Sequence, residues 1–216
     1  MTDREKFVAQ AKSCIEIAQG SEGHKAIIDT YNRIYPLPRA YKMKYTDPWC
    51  AAFVSACGKA IGLVPSIIYP ECSCYQMLRK YQKANLWIED DNYRPKEGDL
   101  VFYSWSDSGE GDCAAAPDHV GIIKGYDTVN ASIHVVEGNW NKKVGVRIIT
   151  AGSRYIRGFA TPAFSDVDED DWEVEREEAK EWAIKNGLIK GDGTAIDWDG
   201  NVKLWQVAMI LNRLVS

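Results

Sequence analysis

Cys50, His119, Glu137 and Asn139 are the residues of this sequence whose types could jointly cleave an amide bond. A thiolate attacks the carbonyl carbon, an imidazole moves the proton, and a polar partner holds the imidazole in one tautomer. The run Asp47-Pro48-Trp49-Cys50 reads as a helix start, with Asp47 the N-cap, Pro48 the first helical residue and Cys50 the third. Backbone N–H groups and the positive end of the helix dipole meet there, which favours a thiolate and could hold an oxyanion. The competing reading of Cys50 is a small buried hydrophobe, the usual fate of a free cysteine. Three histidines are available as the base. His24 falls on an early polar helix and reads as a surface residue. His119 opens a strand after the loop Ala114-Ala115-Ala116-Pro117-Asp118, and His134 lies mid-strand. Strand alternation puts Val135, Glu137 and Asn139 on one face, with His134 and Val136 on the other. His119, from a neighbouring strand, is therefore the base that can join Glu137 and Asn139. Which of those two orients the imidazole stays open at this level.

These side chains need helices and strands to position them. Phe7, Ala11, Cys14, Ile15 and Ala18 recur at helical spacing up to Gly20, and a second helix is expected from His24 to Ile34. The helix carrying Cys50 has Phe53, Val54, Cys57 and Ile61 on its apolar face and ends at Gly62. Tyr75, Met77, Leu78 and Tyr81 mark a fourth before Trp87. From Gly98 the period becomes that of strands, at 99–103, 119–123, 132–136, 145–149 and 155–160, rich in β-branched residues. Helices followed by antiparallel strands define an α+β fold, with N-terminal helices packed on an antiparallel sheet. Charge divides the chain further. Residues 1–165 carry a net charge of +2 and residues 166–216 a net charge of -7, with the break at Asp166-Val167-Asp168-Glu169-Asp170-Asp171. A domain at 1–165 thus holds the candidate site. A small acidic helical unit occupies 166–216, with helices expected at 173–186 and 203–215.

Composition excludes several classes. Hydrophobic residues make up 45% of the chain and charged residues 26%, ordinary globular values that argue against global disorder. A net charge of -5 argues against a nucleic-acid partner, and no apolar run is long enough for a membrane span. The start, Met1-Thr2-Asp3-Arg4-Glu5-Lys6, lacks the pattern of a secretory signal. A protein made in the cytoplasm is expected, its six cysteines reduced. Cys72, Cys74 and Cys113 lack the second close pair or spaced histidine of a zinc site, and Cys57, seven residues beyond Cys50, reads as core. No metal or other cofactor is expected. Trp49, Trp105 and Trp140 flank the candidate residues and are placed as the lining of a groove for sugar or peptide, with burial in the core the competing reading.

Four ordered segments resemble a known family: Trp49-Cys50-Ala51-Ala52-Phe53-Val54-Ser55, Gly98-Asp99-Leu100-Val101-Phe102, Asp118-His119-Val120-Gly121-Ile122 and Val136-Glu137-Gly138-Asn139. Together they look like the CHAP family, the cysteine, histidine-dependent amidohydrolases and peptidases of cell-wall metabolism and phage lysis. The resemblance covers residues 40–162. It implies a papain-like fold and cleavage of an amide in bacterial peptidoglycan, with Cys50 the nucleophile, His119 the base, and Glu137 and Asn139 the polar partners. Some phage members carry an Asp-rich calcium loop before the nucleophile; here Ala40 to Asp47 offers one carboxylate and two lysines, so no calcium is expected. Residues 179–191 and 208–213 resemble one S-layer-homology repeat, although Lys203-Leu204-Trp205 replaces that family's Thr-Arg-Glu. Binding of a wall polymer through 166–216 and homo-oligomerisation or docking through the same unit are the two roles this implies. A phage endolysin is the first functional expectation. An exported toxin or autolysin of the same chemistry, and a non-catalytic wall-binding protein with a relic hydrolase domain, are the alternatives.

Overall fold

Thr2 opens the first helix, α1 (Asp3–Ser13), through a capping box. Its hydroxyl accepts from Glu5 N–H (3.2 Å) and the Glu5 carboxylate accepts from Thr2 N–H (2.9 Å), an arrangement that stabilises a helix start by about 1 kcal/mol. The computed structural model describes residues 1–90, 92–107, 113–165, 182 and 185. The chain divides into two compact units, Met1–Asp166 and Val167–Ser216. The helices expected at 173–186 and 203–215, and the repeat-like segment they form, lie outside the described residues.

Three further helices follow: α2 (Glu22–Asn32), α3 (Cys50–Ala60) and α4 (Cys74–Lys83). α2 buries His24, Ile27, Ile28 and Tyr31, and α4 buries Cys74, Met77, Leu78 and Tyr81. Both sets have the spacing of a single helix face. α3 differs, for every residue from Cys50 to Gly58 is buried. Its small residues allow that. A Cβ added at Gly58 would stand 2.8 Å from the Cβ of Ile68, so the helix is covered on all sides by close neighbours.

Six strands form one antiparallel sheet: β1 (Trp87–Ile88), β2 (Leu100–Tyr103), β3 (His119–Asp127), β4 (Ser132–Trp140), β5 (Lys143–Thr150) and β6 (Ile156–Ala160), in the order β1-β6-β2-β3-β4-β5. Leu100, Phe102, Val120, Ile122, Val136 and Val144 join the helices in the larger core. Val101, Tyr103, Ile123, Ile133, Val135 and Phe159 form a second cluster, as strand alternation requires of the opposite face. This is the expected α+β arrangement, helices packed on an antiparallel sheet. β1, at two residues, is too short to leave an alternating pattern in the sequence.

The first helix is shorter than its apolar spacing predicts, ending at Ser13 and not near Gly20. The backbone beyond it pairs with the sheet edge instead: Glu16 N–H donates to Val144 C=O (2.9 Å), Val144 N–H to Ile17 C=O (2.9 Å) and Gln19 N–H to Lys142 C=O (2.7 Å). The Gly98-Asp99 motif has a structural task. Gly98 takes a φ of 83°, and buried Asp99 accepts from Tyr93 Oη (2.7 Å), Lys96 N–H (2.9 Å) and Arg4 Nη1 (3.1 Å), tying α1 to the entry of β2. Among the described residues no helix is long and apolar enough to cross a membrane.

Candidate active site

Cys50 is the first residue of α3, two positions earlier in its helix than the Asp-Pro pattern predicts. The Asp47 carboxylate does not cap the helix because it is already engaged, accepting from Lys44 N–H and Tyr41 Oη, each at 2.9 Å. The N-cap is Trp49, whose side chain makes no capping bond. The first-turn N–H groups of α3 are therefore not sealed by a capping side chain.

His119, the first residue of β3, reaches the same region from the sheet, and its imidazole and the Cys50 thiol shift each other's ionisation. His119 Nε2 donates to Glu137 Oε2 at 3.0 Å, which leaves Nδ1 for the sulfur. Glu137, fully buried on β4, accepts a second bond at Oε1 from Arg147 Nε of β5 (2.7 Å). Cross-strand register explains the convergence. His119 stands opposite Tyr103 and Val135 opposite Arg147, and Val135 and Glu137 alternate onto the same face. The two glycines between these groups permit the close approach. A Cβ on Gly121 would meet Glu137 Cγ at 2.8 Å, and one on Gly138 would meet Phe53 Cβ of α3 at 2.4 Å. Gly138→Ala must therefore push β4 away from α3. A stability loss of about 1–3 kcal/mol in denaturant titration is expected, and an unchanged midpoint would contradict this packing.

The electrostatics follow from these contacts. A hydrogen bond from Cys74, whose sulfur lies 3.4 Å away, and the His119 imidazole hold Cys50 well below the usual thiol range despite burial. Burial pushes His119 down, but its bonds to Cys50 and Glu137 outweigh that and raise it to about 9. Burial pushes Glu137 up, and the His119 and Arg147 bonds bring it below the ordinary carboxylate range. These directions favour a thiolate on Cys50, a proton on His119 and an ionised Glu137 beside the Arg147 guanidinium.

Several expected positions need correction or refinement. Glu137 holds the imidazole. Asn139 lies in the irregularity between Glu137 and Trp140, at a φ of 59°, so the alternation that would have placed it beside Glu137 breaks first. Trp49 is fully buried between His24 and Phe53, with ring centroids at 4.7 and 6.3 Å, and cannot line a groove. His24 is buried too, because Ser21 caps α2 and turns the histidine inward, where its Nδ1 accepts from Gly20 N–H (3.1 Å). Trp105 is 36% exposed and stacks on Tyr103, which stacks in turn on His119. Trp140 stands over Gly145 at the turn between β4 and β5. Arg147, which no sequence motif marks, lies over the Trp105 ring at 4.6 Å. Cys57 is buried as expected. Cys72 accepts from Arg39 Nη2 (2.9 Å), and among the described residues no group of three or more His, Cys, Asp or Glu is set to hold a metal ion. An open apolar cleft of about 670 Å³, lined by Tyr35, Pro36, Leu37, Pro65, Tyr69 and Pro70 among others, includes none of the candidate side chains.

A thiol at a helix start, beside an imidazole that bonds to a buried carboxylate, has the residue types that nucleophilic attack on a carbonyl requires. A CHAP domain is found at residues 40–139, a span that includes Cys50, His119, Glu137 and Asn139. No curated protein matches the sequence. One solved structure, described as Ly7917 with the hydrolyzing product of MDP, aligns at 14% identity with a TM-score of 0.44, over 74% of this chain. The chain spans 62% of the length of that one.

Proposed function

We propose that the chain is a peptidoglycan hydrolase that cleaves an amide bond through a thioacyl intermediate on Cys50. The observation that carries this reading is the convergence, at the uncapped start of α3, of Cys50 with His119, whose Nε2 bonds to Glu137 at 3.0 Å. The CHAP domain supplies the substrate class.

In this reading the Cys50 thiolate adds to the carbonyl carbon, and first-turn N–H groups of α3 stabilise the oxyanion. The His119 imidazolium gives its Nδ1 proton to the leaving amine, and the C–N bond breaks. Neutral imidazole then takes a proton from water, whose oxygen attacks the thioester and returns the thiolate. Glu137 keeps Nε2 protonated throughout, and Arg147 keeps Glu137 ionised. The bond cleaved joins muramic acid to L-alanine or lies within the stem peptide, and the setting is a phage endolysin whose unit at 167–216 binds the wall.

Purified bacterial walls incubated with the full chain test this. Release of new amino termini is expected, and none from Cys50→Ala. Free N-terminal alanine with exposed lactyl ends identifies an amidase, and new ends inside the peptide an endopeptidase. Equal release by Cys50→Ala would refute the reading.

A further inference from the structure

Cys74 belongs to none of the motifs that lead to the candidate site, yet its sulfur lies 3.4 Å from that of Cys50, and both side chains are buried. Each of the two cysteines is the first residue of a helix, Cys50 of α3 and Cys74 of α4. Two helix N-termini, each the positive end of a dipole, thus meet at one pair of sulfurs.

The approach is held in place from outside the pair. Ser55, on α3, accepts from Glu71 N–H (2.8 Å) and donates to Glu71 C=O (2.7 Å), which pins the segment leading into α4 against α3. The Glu71 carboxylate is held by Arg39 (3.1 Å) and Lys80 (3.4 Å), and Ser73 caps α4 at Gln76 N–H. These bonds fix the two helix starts from which the sulfurs project.

Two thiols this close carry at most one negative charge between them, since a second would be repelled at short range. The groups around them decide where it sits. From β3 the His119 imidazole faces Cys50, backed by Glu137 of β4 and Arg147 of β5. Asp118, just before β3, bears on Cys74. An imidazolium on one side and a carboxylate on the other place the charge on Cys50 and leave the proton on Cys74.

The geometry points to Cys74 as a positioning residue that donates its S–H to the Cys50 thiolate and fixes that sulfur, ionised, against His119. The inference rests on the reading of Cys50 as the nucleophile and adds a donor to it. Cys74 makes and breaks no bond to substrate. The hydrogen bond to Cys50 and burial push Cys74 well above the usual thiol range, the counterpart of the downward shift at Cys50.

Alkylation by iodoacetamide tests this, read at Cys50 by mass spectrometry of its peptide across a pH series, in the full chain. The variants are Cys74→Ala and Cys74→Val, which lack a donor, and Cys74→Ser, which keeps one. Loss of the donor is expected to raise the alkylation midpoint by about one to two pH units, the size of an ordinary charge-assisted hydrogen bond. Cys74→Ser should recover at least half of that shift. Either apolar variant that retains the far-ultraviolet dichroism of the parent suffices for the comparison. A midpoint unmoved in the apolar variants, or moved equally in the serine variant, would overturn the role. Alkylation requires no substrate, so this result stands or falls apart from whether the chain hydrolyses peptidoglycan.

Discussion

Replacing Cys50 with alanine is expected to lower kcat/KM for amide hydrolysis by about 10⁴-fold or more, and His119→Ala should cost nearly as much. The two groups act as one device. In the proposed mechanism the imidazole, the neighbouring thiol and the helix start lower Cys50, and Cys50 and Glu137 in turn raise His119. Neither residue alone retains the nucleophile in its reactive state. The double variant Cys50→Ala with His119→Ala is therefore expected to be no slower than the worse single variant, within a factor of about 3, since residues that work as a unit lose their effect together. Additive losses, each multiplying the other, would mean that the residues act separately. Steady-state rates on soluble muropeptides measure this, with circular dichroism to confirm folding.

Glu137→Gln carries the second large effect, and its sign follows from the contacts of His119. Burial lowers the imidazole, and Cys50 together with the Glu137 carboxylate, each by hydrogen bonding and by charge, raises it to about 9. In the proposed mechanism the working form has Cys50 ionised and His119 protonated, so the proton on His119 sets the alkaline limit. Activity should therefore fall as pH rises through about 9, where His119 loses its proton. An amide at position 137 removes the charge, so the imidazole deprotonates earlier and the alkaline limb moves to lower pH. A drop in kcat/KM of about 10²-fold or more accompanies the shift at neutral pH, because the tautomer is no longer enforced and Arg147 loses the anion it neutralises. A pH–rate profile of kcat/KM checks both parts. An alkaline limb that stays in place, or moves upward, would show that Glu137 does not act on His119.

Much of this site is legible in the amino-acid sequence alone, and the parts that are not have definite physical causes. Residue type and strand alternation group His119 with Glu137 and Asn139 and offer Cys50 as the thiol, without choosing between the two polar partners. The change of period at Gly98 separates helices from strands for the same reason, that 3.6 and 2 residues per repeat leave different apolar patterns. Asp47 misleads because a good capping residue is engaged instead in a turn, at Lys44 and Tyr41. Asn139 misleads because alternation fails at an irregularity that no local pattern announces. Trp49 and His24 bury each other, a pairing between residues 25 positions apart in the chain. Arg147 and Cys74 are missed on the same ground. Each acts through a partner on another element, and only the sheet register and the docking of α4 on α3 bring them in.

Trapping a covalent bond between Cys50 and the acyl part of the substrate decides whether the proposed thioacyl intermediate forms. The full chain is mixed with muropeptide, quenched in acid within one turnover, digested, and the peptide spanning Tyr45–Lys59 weighed and sequenced by mass spectrometry. That peptide also contains Cys57, an internal control on the same helix. A substrate-derived acyl mass is expected on Cys50, absent from Cys57 and lost on hydroxylamine treatment. Turnover with Cys50 unmodified at every quench time, or an acyl group on another residue, would contradict it.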